Sequence, residues 1–203
     1  DDVLLVCDPR DALPIAAALR AKYDRELGTL RDRLVGGDKE AFTLSGAVLF
    51  AHTKHPAGLL FRDLEDLLER KAKGEAERDA VALCLVKRSG VPVEVAMKWG
   101  ELCRFNELVG RLQKGEVSSK LTYHLREDEK TLQGVFTSEE QWRPWLADRI
   151  SRGGASAEEA DALAELLVPF FLCGKSSALR IARFLGHEVG DWEDRVETSE
   201  VAG

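Results

Sequence analysis

The sequence predicts an α+β layer followed by an all-α half, and three observations carry that division. The short apolar run Val3–Cys7 reads as a strand buried on both faces, and Phe42–Ala51 and Ala80–Val86 read as further core strands. Stretches with helical spacing of apolar residues separate these runs. After Gly100 the period becomes helical and stays so.

Val3-Leu-Leu-Val-Cys7 is the first expected strand. Asp8-Pro9 then opens a helix, with proline in the first turn, where a missing N–H costs nothing. Leu19, Tyr23, Leu27, Leu30 and Leu34 recur at helical spacing, so this helix is expected to bury one face. Gly36-Gly-Asp38 interrupts as a polar loop before the strand Phe42–Ala51, whose Gly46 invites a bulge or a close backbone approach. His52-Thr-Lys-His-Pro56 caps that strand. The next helix turns Leu60, Leu64, Leu67 and Leu68 inward and Arg62, Asp63, Glu65, Asp66 and Glu69 outward.

Ala80–Val86 is the third core strand. The turn Arg88-Ser-Gly-Val-Pro92 leads into Val93, Val95, Met97 and Trp99 alternating with Glu94, Ala96 and Lys98, a hairpin with one wet face. In the helical half, Leu102, Phe105, Leu108/Val109 and Leu112 mark one helix, and a second covers about 117–130. Thr137-Ser-Glu-Glu140 and Ser156-Ala-Glu-Glu159 read as capping boxes, each opening an apolar-periodic helix. Pro169 is expected to kink the latter, and Lys175–Gly186 forms a final helix. The expected domains are 1–99, 100–190 and a frayed acidic tail at 191–203.

At 203 residues and 44% hydrophobic, the chain can bury a core, and its net charge of -7 provides no global field to steer a polyanion. No apolar run reaches the roughly 18 residues of a membrane helix, and no signal peptide pattern opens the chain, so a cytoplasmic protein is expected. Cys7, Cys84, Cys103 and Cys173 form no C-x-x-C pair and read as reduced core thiols.

Asp1-Asp2 directly precede the first strand. Adjacent carboxylates at a strand start are suited to holding Mg²⁺, an oxygen-seeking cation, for phosphoryl transfer; the bland alternative is a solvated acidic terminus. On a regular strand the two side chains point to opposite faces, so one is expected to dominate unless a hairpin turn brings both to the metal. Three features give the expectation that the chain continues upstream. The first strand needs a sheet partner, the carboxylates imply a metal site, and a free α-amino group beside that metal would repel it by about 4 kcal/mol or more per unit charge product at an effective dielectric near 20. Gly36-Gly-Asp-Lys-Glu40 follows a charged helix end and reads as a loop or C-cap.

His52, Lys54 and His55 form a basic knot at a strand end, where Lys54 can reach a phosphate and either histidine a phosphate or a base; the alternative is a cap packed under Pro56. Without the glutamate of a zinc helix, His52 and His55 are not read as metal ligands. Lys87-Arg88 at the hairpin either contact triphosphate or RNA or form a solvated turn. Trp142, Trp145 and Phe170-Phe171 are expected in the core. Lys175-Ser-Ser177 is read as a helix N-terminus, and Arg143, Arg149, Arg152, Arg180 and Arg183 line a nucleic-acid path or a merely solvated face.

The order of Asp1-Asp2-Val-Leu-Leu-Val, a long helix, Ser45-Gly-Ala-Val-Leu-Phe-Ala-His-Thr-Lys-His-Pro56 and Ala82-Leu-Cys-Leu-Val-Lys-Arg-Ser-Gly90 resembles the large palm subunit of type III CRISPR effector complexes, closest to the B subtype (the Cmr complex). The resemblance runs along nearly the whole chain, with Ser118–Glu127 similar to that family's C-terminal helical domain. It implies a partial ferredoxin-like palm of nucleotidyl-cyclase type followed by a helical bundle. Asp1 and Asp2 match the aspartates of a Gly-Gly-Asp-Asp motif, with the glycines expected before residue 1. The implied activity is target-RNA-activated synthesis of cyclic oligoadenylate from ATP. Asp1 and Asp2 would hold Mg²⁺ (or Mn²⁺), and Lys54, His52 and Lys87 would steady phosphate. The implied partners are the stem and small helical subunits, guide RNA and target RNA. That chemistry needs two facing palms, so these 203 residues alone are expected to be inactive. Two rivals remain: a non-catalytic scaffold with a degenerate palm, and a different, GGDEF-type cyclase.

Overall fold

The computed structural model describes residues 3–34, 43–88 and 90–189. The chain divides into two compact units, Asp1–Cys103 and Arg104–Gly203. The first is mixed α+β and the second is helical, the class expected from the sequence.

In the first unit, helix α1 (Pro9–Leu34) precedes strand β1 (Gly46–Ala51). Helix α2 (Ala57–Asp66) runs on without a break into a π-helical segment, Leu67–Glu75. Strands β2 (Ala80–Val86) and β3 (Val93–Lys98) complete a three-stranded sheet of order β1-β2-β3. β1 and β2 are parallel, and β2 and β3 antiparallel. β2 is buried along both faces, which is why it reads as an uninterrupted apolar run. On β3, Val93, Val95 and Met97 are buried while Lys98 is exposed, the one-sided alternation expected of it.

Small side chains on one sheet face let the α2 helix lie close. Leu67 and Ala72 pack onto Ala82 and Cys84, flanked by Ala47, Leu49 and Ala96. Burying Leu67 alone stabilises by about 2 kcal/mol. The turn into β2 carries three residues at positive φ, Glu77, Arg78 and Asp79. Such backbone costs on the order of 1 kcal/mol per residue, and two basic side chains hold it. Lys98 Nζ donates to the Arg78 carbonyl at 2.9 Å, and Arg20 of α1 pairs with Asp79.

Three expectations fail in this unit. Val3–Cys7 is not a strand: Val3 is 74% and Val6 91% exposed, and among the described residues no strand pairs with its backbone. The α1 stripe is shallow, with Leu19 exposed and Tyr23 and Leu27 half-buried, because α1 leans on little more than β1; the side chains of Leu30 and Leu34 lie outside the described residues. Among the cysteines only Cys84 is a core thiol, Cys7, Cys103 and Cys173 being exposed. Gly36–Glu40 and Asp191–Gly203 also lie outside the described residues. Gly46 does make a close approach, without a bulge: a Cβ there would stand 3.2 Å from the Trp99 ring, whose Nε1 donates to the Leu44 carbonyl at 2.8 Å. Trp99 itself opens helix α3 (Trp99–Gln113) rather than ending β3.

The second unit adds α4 (Ser119–Leu132), α5 (Glu139–Ser151), α6 (Ala157–Leu172) and α7 (Ser177–Arg183), followed by a π-helical turn at Phe184–Val189. Ser156 and Glu159 form the expected capping box. The earlier box sits one residue later than its lettering suggests, at Ser138 and Gln141, because Gln141 Oε1 accepts from the Thr137 and Ser138 N–H groups at 2.8 and 3.2 Å. α6 runs through Pro169 to Leu172. Trp142, 1% exposed, centres an aromatic cluster with Phe136, Trp145 and Phe171 at ring separations of 5.2, 5.7 and 5.3 Å. Among the described residues no helix is long and apolar enough to cross a membrane.

Two predictions follow from this packing. Gly46→Val should destabilise the protein by about 1–3 kcal/mol in urea melts, because a branched side chain must displace the Trp99 ring. Glu129 of α4 is buried, accepts from Ser176 Oγ, and has no partner for its other oxygen among the described residues. Burial pushes its carboxyl above the usual range, with Ser176 pulling the other way. The folded state therefore favours the protonated acid. Its contribution is full below the unfolded value of about 4.3 and is lost as pH rises through the higher folded value. Glu129→Gln should raise stability at pH 8 by about 1 kcal/mol and leave it nearly unchanged at pH 4, measured by urea melts at both.

Candidate functional site

Parallel strands end at the same edge of a sheet, and their following loops leave from there together. In register, Ala51 of β1 faces Val86 of β2, the last residue of each strand. The segment His52–Pro56 and the segment Lys87–Arg88 therefore emerge side by side. Separated by more than thirty positions in sequence, the two basic segments singled out there share one sheet edge.

The first segment is a tight turn that sorts its side chains. The His55 N–H donates to the His52 carbonyl at 2.8 Å, and the Lys54 N–H donates to His52 Nδ1 at 3.1 Å. Nδ1 thus serves as an acceptor, which places the proton of a neutral His52 ring on Nε2. His52 and Lys54 are exposed, and Lys54 has no ion pair among the described residues. His55 turns inward toward α2, with Nε2 buried and 3.8 Å from Asp63 Oδ2, too far for a hydrogen bond. His55 is therefore a packed anchor for the loop, and His52 and Lys54 are its presented groups. Lys87 and Arg88 are exposed at the neighbouring exit.

Between α2 and the sheet lies a cavity of about 380 Å³ lined by Arg62, Asp63, Asp66, Cys84, Val86, Pro92 and Glu94. Two of its carboxylates are held by Arg70, which forks onto Glu94 at 2.9 and 3.0 Å and reaches Asp66 at 3.1 Å, while Asp63 lies 3.8 Å from Arg62 Nε. The Cys84 thiol is pushed up to about 12, by burial first and then by the charges of Glu94 and Asp63. It stays a thiol at physiological pH and is no nucleophile. Asp63, 3.8 Å from His55, reads in sequence as one more outward charge of an amphipathic helix.

Asp1 and Asp2 lie outside the described residues. Among the described residues no group of three or more His, Cys, Asp or Glu side chains has the placement of a metal site. In the helical unit, Trp142, Phe170 and Phe171 are core as expected, while Lys175-Ser-Ser177 is a helix entry whose Ser176 is buried.

Comparison with known proteins gives two findings. Residues 1–82 match the family described as Cas10/Cmr2, second palm domain. The chain is also 32% identical over 130 residues to the CRISPR system Cmr subunit Cmr2 of Pyrococcus furiosus, a match that covers 62% of this chain and 14% of that protein. Thiol labelling provides a check on the site chemistry. In the native protein at pH 8, Cys7, Cys103 and Cys173 should react with an aromatic disulfide reagent, and Cys84 only after denaturation. Mass mapping of the labelled residues reads this directly.

Proposed function

We propose, from the match of residues 1–82 to the Cas10/Cmr2 second palm domain, that this chain is part of the large subunit of a type III-B CRISPR effector complex and carries one wall of a nucleotide-polymerising site. The observation that supports the reading is the shared exit edge of β1 and β2, from which the segments carrying His52, Lys54 and Lys87 leave side by side. Lys54 is a mobile point charge suited to a phosphate oxygen. His52, with its proton on Nε2, offers a donor to the same group. Lys87 approaches from the adjoining loop.

The proposed reaction joins ATP into cyclic oligoadenylate when target RNA pairs with the guide, each 3'-hydroxyl attacking an α-phosphate and displacing pyrophosphate. The donor set of Asp1 and Asp2, hard carboxylate oxygens only, fits Mg²⁺ or Mn²⁺. The bound ion would neutralise triphosphate charge and lower the pKa of an attacking 3'-hydroxyl. The chain's own contribution is to hold the phosphates at the sheet edge while His55, packed against α2, keeps the loop in place. The other subunits of the complex and the guide and target RNA are the proposed partners. A palm that only docks subunits is the second reading, and it differs in what the aspartates do.

The test uses the full-length protein in its assembled complex with cognate target RNA and radiolabelled ATP. Asp1→Asn with Asp2→Asn should abolish oligoadenylate. Lys54→Ala should raise the KM for ATP about tenfold, the loss of one charge-assisted contact, while leaving kcat less changed. Undiminished product from the double aspartate variant would assign the palm a scaffolding role.

A further inference from the structure

The arginines of the helical unit meet different fates. Arg143 of α5 is held by Asp161 and Glu165 of α6 at 2.9 and 3.4 Å, Arg149 by Asp128 of α4, and Arg152 by Asp148 at 2.9 Å. Arg180 and Arg183, three apart on α7, have no carboxylate partner among the described residues.

The fold gathers a third guanidinium beside them. α7 packs on α4, and Ser176 at its entry donates to the buried Glu129, pinning the two helices together. Arg126 lies on α4, one turn before Glu129. Arg180 is pushed down from its usual value by partial burial, then by the positive charges of Arg126 and Arg183, so the three groups lie within Coulomb range. Arg126 also stands over the Tyr123 ring, 5.5 Å from its centroid, and Tyr123 is 51% exposed. The carboxylate paired with Arg126 is Glu127, which it shares with Lys130 at 3.2 and 2.9 Å. The result is a cationic patch with an open aromatic face.

We propose that Tyr123, Arg126, Arg180 and Arg183 form a docking surface for the phosphate backbone of single-stranded nucleic acid. The arginines take phosphate oxygens in forked contacts, and Tyr123 offers its ring to a base. An acidic protein surface would match the charge, but it would leave the exposed tyrosine face without its complement. The surface belongs to the second unit alone and does not depend on what the palm edge binds.

Fluorescence anisotropy of the 203-residue chain with a labelled oligouridylate of about 15 nucleotides, across a salt series, tests this. Arg180→Gln with Arg183→Gln should weaken binding at least tenfold at low salt. It should also make the slope of log Kobs against log salt shallower by about 1.4, the value for two lost single-strand phosphate contacts. Tyr123→Ala should weaken binding several-fold with the slope unchanged, and Arg152→Gln should change neither. If thermal melts show the double Gln variant to be unfolded, Arg180→Lys with Arg183→Lys takes its place, and it should retain the wild-type slope. The proposal is overturned if the wild-type chain does not bind the oligonucleotide, as an acidic protein partner would require. It is equally overturned if the Gln pair keeps wild-type affinity and slope, if the Lys pair loses the slope, or if Arg152→Gln weakens binding as much as the Gln pair.

Discussion

The parallel pairing of β1 with β2 is the constraint on which the first unit depends. It requires a crossover, and the continuous helix from Ala57 to Glu75 supplies one. That helix can lie against the sheet because Ala47, Ala82 and Ala96 present little bulk on the covered face. Larger residues there would lift the helix, expose Leu67 and Ala72, and remove the burial that holds the crossover. The same pairing, through the Ala51–Val86 register, decides which loops become neighbours. Packing and candidate chemistry thus share one cause.

Strain and charge sit at the ends of that sheet. At the N-terminal end of β2, three consecutive left-handed residues reverse the chain, and Lys98 and Arg20 tie their carbonyls and carboxylate down. At the C-terminal end, basic groups are presented to solvent while the acids below are neutralised internally by Arg70. An edge with its acids occupied and Lys54 left open is electrostatically prepared for an anion. The helical unit repeats that logic. Its inter-helix carboxylates hold Arg143 and Arg149, and the arginines of α7 have no carboxylate partner among the described residues.

Much of the architecture was legible because burial and periodicity are local properties of sequence. Ala80–Val86 is buried on both faces and so reads as a continuous apolar run; Val93–Lys98 is buried on one and so alternates. Val3–Cys7 reads with equal force as a strand, yet stands exposed, since a strand needs a hydrogen-bonding neighbour that apolar lettering cannot supply. The capping box at Ser138 slipped by one residue because Thr137 and Ser138 are equally good caps, and only the reach of Gln141 selects between them.

By itself the sequence determined the alternation of α+β and helical halves, the buried strands, and the residue types able to meet phosphate or metal. Those depend on side-chain chemistry and on periods of two and 3.6 residues, which are written along the chain. Tertiary structure decided which of those residues are neighbours. Lys54 and Lys87 share an edge only because two strands pair in one register. Arg126 comes within Coulomb range of Arg180 because α4 and α7 pack together, tied by a buried serine and glutamate. Contacts between distant positions depend on how elements pack, and no local pattern encodes that.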